Sequence, residues 1–109
     1  MILDNYNILN CPACGGESLH QERVTAYFRH EDSDVGMVVE VDRETVMANA
    51  NGDCITGNPS ARRDGIVIEF SCENCSVIPR LAIVQHKGTT YFEWLDGVQE
   101  PVLGVARNR

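Results

Sequence analysis

Two short cysteine pairs constrain the fold of this chain more than any other feature of its sequence. They are Cys11-Pro12-Ala13-Cys14 and Cys72-Glu73-Asn74-Cys75, and each has two residues between its thiols. Two pairs with this spacing are typical of one tetrahedral zinc site, because Zn²⁺ prefers thiolate sulfur and four ligands complete its coordination sphere. The sequence therefore predicts a single structural Zn²⁺ held by four ligands: Cys11, Cys14, Cys72 and Cys75.

The same thiols are open to other chemistry. They could form two disulfides, or one pair could be redox-active in the manner of thioredoxin, although such a pair lies at a helix N-terminus and both pairs here lie beside predicted strands and turns. Iron in a rubredoxin-like site uses the same paired spacing, so metal analysis is needed to distinguish it from zinc. Four thiolates leave no open coordination position for water or substrate, which favours a structural role.

Length and charge narrow the class of protein. With 109 residues, 43% of them hydrophobic and 23% charged, the chain is expected to be one globular domain. Its formal net charge is −7, and four thiolates on one Zn²⁺ would add a local charge of about −2. This balance argues against general attraction to nucleic acid or to an anionic membrane, although a local basic patch could still bind phosphate.

The composition of the N-terminal stretch argues against a signal peptide. Residues 1–6 lack a basic region and a continuous apolar region, and no apolar run in the sequence approaches the roughly 20 residues that cross a bilayer. We therefore expect no membrane association and a cytoplasmic location. Thiols stay reduced in that compartment, which favours metal binding over disulfides.

Residues of alternating polarity predict a mostly β chain. At residues 22–29, Val24, Ala26 and Phe28 alternate with a second set that includes Tyr27, which predicts a strand with one buried face. A strand at 35–41 should pair with it as a hairpin across a polar turn at 30–34. Dense turn-forming residues predict a long surface loop at 49–65. Further strands are predicted at 45–49, 66–71, 81–86 and 91–95.

The stretch Cys11-Pro12-Ala13-Cys14-Gly15 resembles the first knuckle of zinc-ribbon domains, and Cys72-Glu73-Asn74-Cys75 between two strands resembles the second. The chain is also similar to small zinc-ribbon proteins of bacteria and their phages that have no assigned activity. The resemblance implies the four cysteine ligands and a small antiparallel sheet beside the metal. Two features depart from it: 57 residues separate the knuckles, and Ser76 follows the second knuckle where a glycine is usual.

These departures lead to a prediction of domain organisation. We expect a single zinc-ribbon-like domain over residues 1–109, mostly β, in which residues 22–65 form an inserted β-hairpin and long loop. Residues 96–109 are expected to form a partly ordered tail, because Gly97, Pro101 and Gly104 interrupt it.

A candidate binding surface contains the only adjacent basic pair in the body of the chain, Arg62-Arg63. Arginines there could fork onto phosphate or carboxylate, and aromatic residues nearby could stack on bases. The alternative is that the arginines pair with the chain's own carboxylates and that the aromatic residues belong to the core. The candidate residues are Arg62, Arg63, Arg80, Lys87, Tyr91 and Trp94.

Two other features have competing interpretations. The acidic stretch Glu31-Asp32-Ser33-Asp34 could hold a hard cation, but a solvated hairpin turn explains it as well. Cys54, the fifth cysteine, could be a nucleophile or a substitute ligand, or simply a buried, inert thiol.

The leading functional hypothesis is a non-enzymatic zinc-binding module that recognises another protein. It depends on the closed metal site, the absence of a catalytic constellation in the sequence, and sheet edges that could add a partner's strand. The alternatives are a nucleic-acid-binding zinc ribbon that uses the basic candidate residues, a small acidic inhibitor or nucleic-acid mimic of the kind phages encode, and an enzyme based on Cys54. A homodimer formed by pairing of edge strands is also predicted as possible.

Overall fold

A computed structural model describes residues 7–95, which contain six β-strands and no helix. The mostly β prediction is therefore confirmed. The strands are β1 (Leu19–Phe28), β2 (Val35–Asp42), β3 (Val46–Asp53), β4 (Gly65–Cys72), β5 (Arg80–His86) and β6 (Thr89–Trp94). Within this part of the chain no helix is long and apolar enough to cross a bilayer.

The six strands form one antiparallel sheet in the order β3-β2-β1-β4-β5-β6, so that β3 and β6 are its edges. The predicted hairpin is present: β1 and β2 are antiparallel, with Val24 opposite Val41 and Phe28 opposite Met37. Strand β3 then pairs with β2, and the register shifts between Gly36 and Val38. Such a shift marks a β-bulge, which bends the strand locally.

Strand β3 is longer than its sequence indicates, and the predicted loop is correspondingly shorter. Residues 49–53 were expected in the loop at 49–65, but they continue β3 as far as Asp53, which pairs with Val35. Gly52 lies opposite Gly36, and a Cβ on Gly52 would come within 2.7 Å of Val38 Cγ2. Main-chain pairing with β2 thus overrides the turn preference of these residues, and residues 54–64 form the connection to β4.

The alternation in β1 is present, but the most buried residue of the strand, Tyr27, does not belong to its apolar set. Tyr27 is 8% exposed, whereas Phe28 is 49% exposed. The register places the apolar set of β1 on the same face as the alternate residues of β2 and β3, because successive side chains of a strand point to opposite faces. We call this surface the apolar face. Its residues are Val24, Ala26, Phe28, Met37, Val39, Val41, Val46 and Ala48.

The described residues fall into two compact units. One contains residues 7–22, 69–81 and 93–95, and its buried residues include Cys11, Phe70 and Leu81. The other contains Arg23–Ile68 and Ala82–Phe92, with Tyr27, Cys54, Val67, Ala82 and Val84 buried. The single-domain organisation and the insertion at 22–65 stay predictions. The expected tail at 96–109 lies outside the described residues, as do residues 1–6.

Candidate metal centre

The structure brings together the four cysteines of the two knuckles, although the pairs are far apart in sequence. Their sulfur atoms all lie within 4.8 Å of one another. The distance between the sulfurs of Cys11 and Cys75 is 3.8 Å, and that between Cys14 and Cys72 is 3.6 Å. Four sulfurs placed tetrahedrally at about 2.3 Å from a Zn²⁺ ion are about 3.8 Å apart. The donor set and its spacing therefore fit a tetrahedral thiolate metal site.

The same distances exclude disulfides between these pairs, since bonded sulfurs lie about 2.05 Å apart. All five cysteines of the chain are free thiols in the structure. The structure thus contains a cluster of four thiols that could hold a metal ion.

Backbone amides of both knuckles point at the cysteine sulfurs in the same way. The amide of Gly16 donates to Cys14 Sγ at 3.4 Å, and the amide of Asn74 donates to Cys72 Sγ at the same distance. The first turn is closed by two further bonds between Cys11 and the glycines that follow, and Gly15 adopts a φ of +78°. Glycine suits that position because it adopts positive φ without the strain that a Cβ would cause.

The two knuckles are in close contact. A Cβ on Gly16 would lie 2.2 Å from Nδ2 of Asn74 and 3.3 Å from Cys14 Sγ, so a side chain at this position would displace the Asn74 side chain. The amide of Glu73 also donates to the carbonyl of Ser18 at 3.0 Å, and the Glu73 carboxylate contacts the His20 ring. No local signal in the sequence predicts this contact, because Asn74 lies 58 positions after Gly16.

The electrostatics of the cluster favour a bound cation. Burial, together with the neighbouring thiols, raises the pKa of Cys75 to about 12, and burial likewise raises the pKa of Cys11. Burial also opposes ionisation of Cys72, but the Asn74 amide and the adjacent thiols outweigh it, and the pKa of Cys72 is lowered. Without a cation the thiolates of Cys11 and Cys75 are therefore unfavourable, whereas a metal ion stabilises the thiolates that coordinate it.

The adjacent arginines of the candidate binding surface, Arg62 and Arg63, are paired with carboxylates. Arg62 forks onto Asp32 through two bonds of 2.7 Å and also lies 3.2 Å from Glu31, while Arg63 donates to Glu31 at 2.8 Å. The guanidinium of Arg62 holds the pKa of Asp32 below its usual range. The acidic stretch and the arginine pair, considered separately in the sequence, are thus partners in one salt-bridge network.

The other binding candidates lie on different elements. Trp94 packs edge-on against Phe70, with ring centroids 6.0 Å apart, so its ring is engaged in packing. Tyr91 is 42% exposed on β6, Lys87 lies in the turn between β5 and β6, and Arg80 begins β5. A common basic face formed by Arg80, Lys87 and the two adjacent arginines stays a prediction. Arg62 and Arg63 themselves form ion pairs with Glu31 and Asp32.

Cys54 is completely buried at the end of β3. Its amide donates to the carbonyl of Asp34 at 2.9 Å, and its carbonyl accepts from the Asn58 side chain at the same distance. Burial raises the pKa of the Cys54 thiol. A nucleophilic cysteine requires the opposite shift, since the thiolate is the reactive form.

Arg29 is an organising residue that the sequence did not single out. Its guanidinium donates to the carbonyls of Ser33, Arg63 and Ser60 at 2.8, 3.2 and 3.3 Å. It therefore joins the turn after β1 to the connection before β4. In the sequence it is one more polar residue of an alternating strand, so no local signal distinguishes it.

None of the protein-family models, curated proteins or solved structures that were compared with this chain matches the chain.

Proposed function

We propose that this chain is a non-enzymatic module organised by one structural Zn²⁺ ion, with Cys11, Cys14, Cys72 and Cys75 as its ligands. The observation that carries the proposal is the separation of the paired sulfurs, 3.6 and 3.8 Å, which matches the value of about 3.8 Å for tetrahedral zinc thiolates. When bound, the ion would cross-link the start of the chain to the segment between β4 and β5.

Two features support a structural rather than a catalytic role. Four protein thiolates fill the coordination sphere of zinc, so neither water nor substrate has a position on the ion. The remaining thiol, Cys54, is 0% exposed and has a raised pKa, which is unlike an activated nucleophile.

The module's proposed role is to bind another protein. The edge strand β3 supports this, because an exposed edge offers unpaired main-chain groups to a partner's strand, and Val46 and Met47 on it are 70% and 64% exposed. The alternative of nucleic-acid binding is less well supported, because the net charge is −7 and Arg62 and Arg63 face carboxylates.

Native mass spectrometry with elemental analysis tests the metal assignment. The purified chain should carry one zinc per molecule, and Co²⁺ in its place should show the visible absorption of a tetrahedral thiolate complex. Cys14→Ser should bind zinc far more weakly, whereas the control Cys54→Ala should retain one equivalent. Loss of the metal in both variants, or a metal-free native protein, would overturn the proposal; bound iron would overturn only the choice of ion.

A further inference from the structure

The four cysteines of the cluster differ in how open they are to solvent. Cys14 is exposed, and so are its neighbours in the first knuckle, residues 12–15. Cys72 and Cys75 are half-buried, whereas Cys11 is only 2% exposed. A reagent in solution therefore reaches the sulfur of Cys14 more easily than that of any other cysteine in the cluster.

The exposed sulfur of Cys14 has a second sulfur beside it. It lies 3.6 Å from Cys72 Sγ, in the exposed part of the cluster, whereas the 3.8 Å pair of Cys11 and Cys75 is partly buried. The other cysteine of the first knuckle, Cys11, is buried, and its amide is bonded to the carbonyl of Gly16 at 2.8 Å. Cys72 is therefore the partner that a modified Cys14 can meet without uncovering a buried thiol.

A bound ion would keep these two sulfurs in their reactive form. Cysteines coordinate a metal as thiolates, and the thiolate is the nucleophile in reactions of cysteine. An accessible thiolate with a second thiolate next to it is the arrangement found in cysteines that respond to oxidants. Cys54 offers the contrast within the same chain, because it is 0% exposed and lies outside the cluster.

The charge around the cluster limits the class of oxidant. Four thiolates on one divalent cation carry a local charge of about −2, and the chain as a whole carries −7. Glu73, next in sequence to Cys72, is also exposed. Anionic oxidants such as glutathione disulfide are repelled by such a surface, whereas a small uncharged peroxide is not.

We propose, resting on the metal centre of the proposed function, that Cys14 is a site of oxidation by peroxide and that a Cys14–Cys72 disulfide then displaces the ion. The Cys14 thiolate attacks one oxygen of hydrogen peroxide, so that the O–O bond breaks and a sulfenic acid forms with loss of hydroxide. The Cys72 thiolate attacks the Cys14 sulfur, the S–O bond breaks, and a second hydroxide leaves. The two sulfurs lose two electrons, which reduce the peroxide to two hydroxide ions that take up protons from solution.

The disulfide takes over the cross-link that the ion supplied. Cys11 and Cys75 alone remain as thiolate ligands, which is too few for a structural zinc site, so the ion is lost to solution. The new bond closes the same loop of 58 positions between Cys14 and Cys72. Disulfides within the two knuckles would close only short turns and would leave the knuckles unlinked. Oxidation is therefore expected to remove the metal and to preserve much of the stability that chelation removes.

The test is oxidation of the zinc-loaded full chain with one equivalent of hydrogen peroxide, with the metal content measured beforehand and the released zinc followed by a colorimetric indicator. Trypsin cleaves after Arg23, Arg63 and Arg80, so residues 1–23 carry the first knuckle and residues 64–80 the second. A disulfide across the knuckles joins these two peptides, whereas one within a knuckle leaves them separate. Alkylation of the remaining thiols and fragmentation by mass spectrometry then identify the bonded cysteines. Calorimetry compares Tm of the oxidised, zinc-loaded and chelated chains, and Cys54→Ala is the matched control.

We expect one zinc released for each peroxide consumed, the two peptides joined through Cys14 and Cys72, and uptake of one zinc again after reduction with a thiol. Tm of the oxidised chain should lie closer to that of the zinc-loaded chain than to that of the chelated chain, and Cys54→Ala should behave in the same way.

Bonds confined within the knuckles, a joined peptide in which Cys14 is free, or retention of the metal under about a tenfold excess of peroxide would overturn the proposal. A Tm as low as that of the chelated chain would overturn it too, because the disulfide would then not replace the cross-link. A different connectivity in Cys54→Ala would place Cys54 in the reaction, with the same consequence. A chain that holds no metal before oxidation would instead overturn the proposed function, and the displacement step with it.

Discussion

Removal of the metal should cost this chain a large part of its stability. The cysteine cluster links Cys14 to Cys72, which are 58 positions apart, so a bound ion closes most of the body of the chain into a loop. A cross-link of this length removes conformational entropy from the unfolded chain in the same way as a disulfide. The loop-closure expression gives a contribution of about 4 kcal/mol at 25 °C for a loop of this size.

A loss of stability of this size predicts a large decrease in Tm. For a domain of about 100 residues, 1 kcal/mol changes Tm by about 4 to 8 °C, so chelation should lower Tm by roughly 15 to 30 °C. The loss of metal–sulfur bonding itself adds to this, because a structural zinc site binds only the folded chain. We therefore treat about 15 °C as the minimum effect.

The assay is differential scanning calorimetry of the zinc-loaded chain with and without a strong chelator, with the metal content measured in each sample. Cys14→Ser should unfold at a low temperature and show little further response to chelator. Cys54→Ala should keep a chelator-dependent shift as large as that of the wild type, because its cysteine lies outside the cluster. A wild-type Tm that moves by less than about 5 °C after verified metal removal would refute the reasoning, since the loop-closure contribution alone exceeds that.

Three further predictions concern the connections between strands. Gly57→Ala should destabilise the fold by about 1 to 3 kcal/mol, because φ is +86° and the new Cβ would lie 2.7 Å from the Tyr27 hydroxyl. The matched control is Gly88→Ala, where φ is +81° but nothing surrounds the new Cβ, so that only the backbone strain of about 1 kcal/mol remains. Chemical denaturation measures the free energy of unfolding of both variants. Cys54 should react with a thiol reagent far more slowly in the native zinc-loaded chain than in the denatured chain at pH 7, and equal rates would contradict its burial. The backbone amides of Glu44 and Thr45 donate to the Asp42 carboxylate and lower its pKa. The stabilising effect of the carboxylate is therefore present above its unfolded pKa of about 3.9 and is lost as pH falls through the lower folded pKa. Asp42→Ala should lower Tm at pH 7 and lower it much less near pH 2, and an equal loss at both pH values would argue against stabilisation by these hydrogen bonds.

The candidate metal centre was predictable to the level of its ligand types. Spacing within each pair is a local property, and so is the need for glycine at Gly15, where φ is +78°. The contact of Gly16 with Asn74 was not predictable, because it depends on how the second knuckle approaches the first. Zinc and iron accept the same thiolates, so the paired spacing predicts a thiolate metal site rather than a particular ion.

The pairing of charges at the candidate binding surface, in contrast, was not predictable from the sequence. Arg62 and Glu31 are each conspicuous in the sequence, but nothing local indicates that they face one another across 31 positions. Folding brings the turn after β1 beside the connection before β4, and opposite charges in the two segments then pair. A basic pair in an acidic chain is thus a poor indicator of nucleic-acid binding unless its carboxylate neighbours are known.

The sequence by itself determined the β character of the chain, most of the strand positions and the four thiols of the cluster, because these depend on local spacing and on period-2 alternation. The tertiary structure alone decided which residues of strands β1–β3 are buried. Alternation shows that Val24, Ala26 and Phe28 share a face, but burial depends on what packs against each side chain: Tyr27 on the other face is 8% exposed, whereas Phe28 is 49% exposed. The spacing of residues along the chain is a local property that the sequence shows directly, whereas burial depends on contacts between segments that are distant in the sequence.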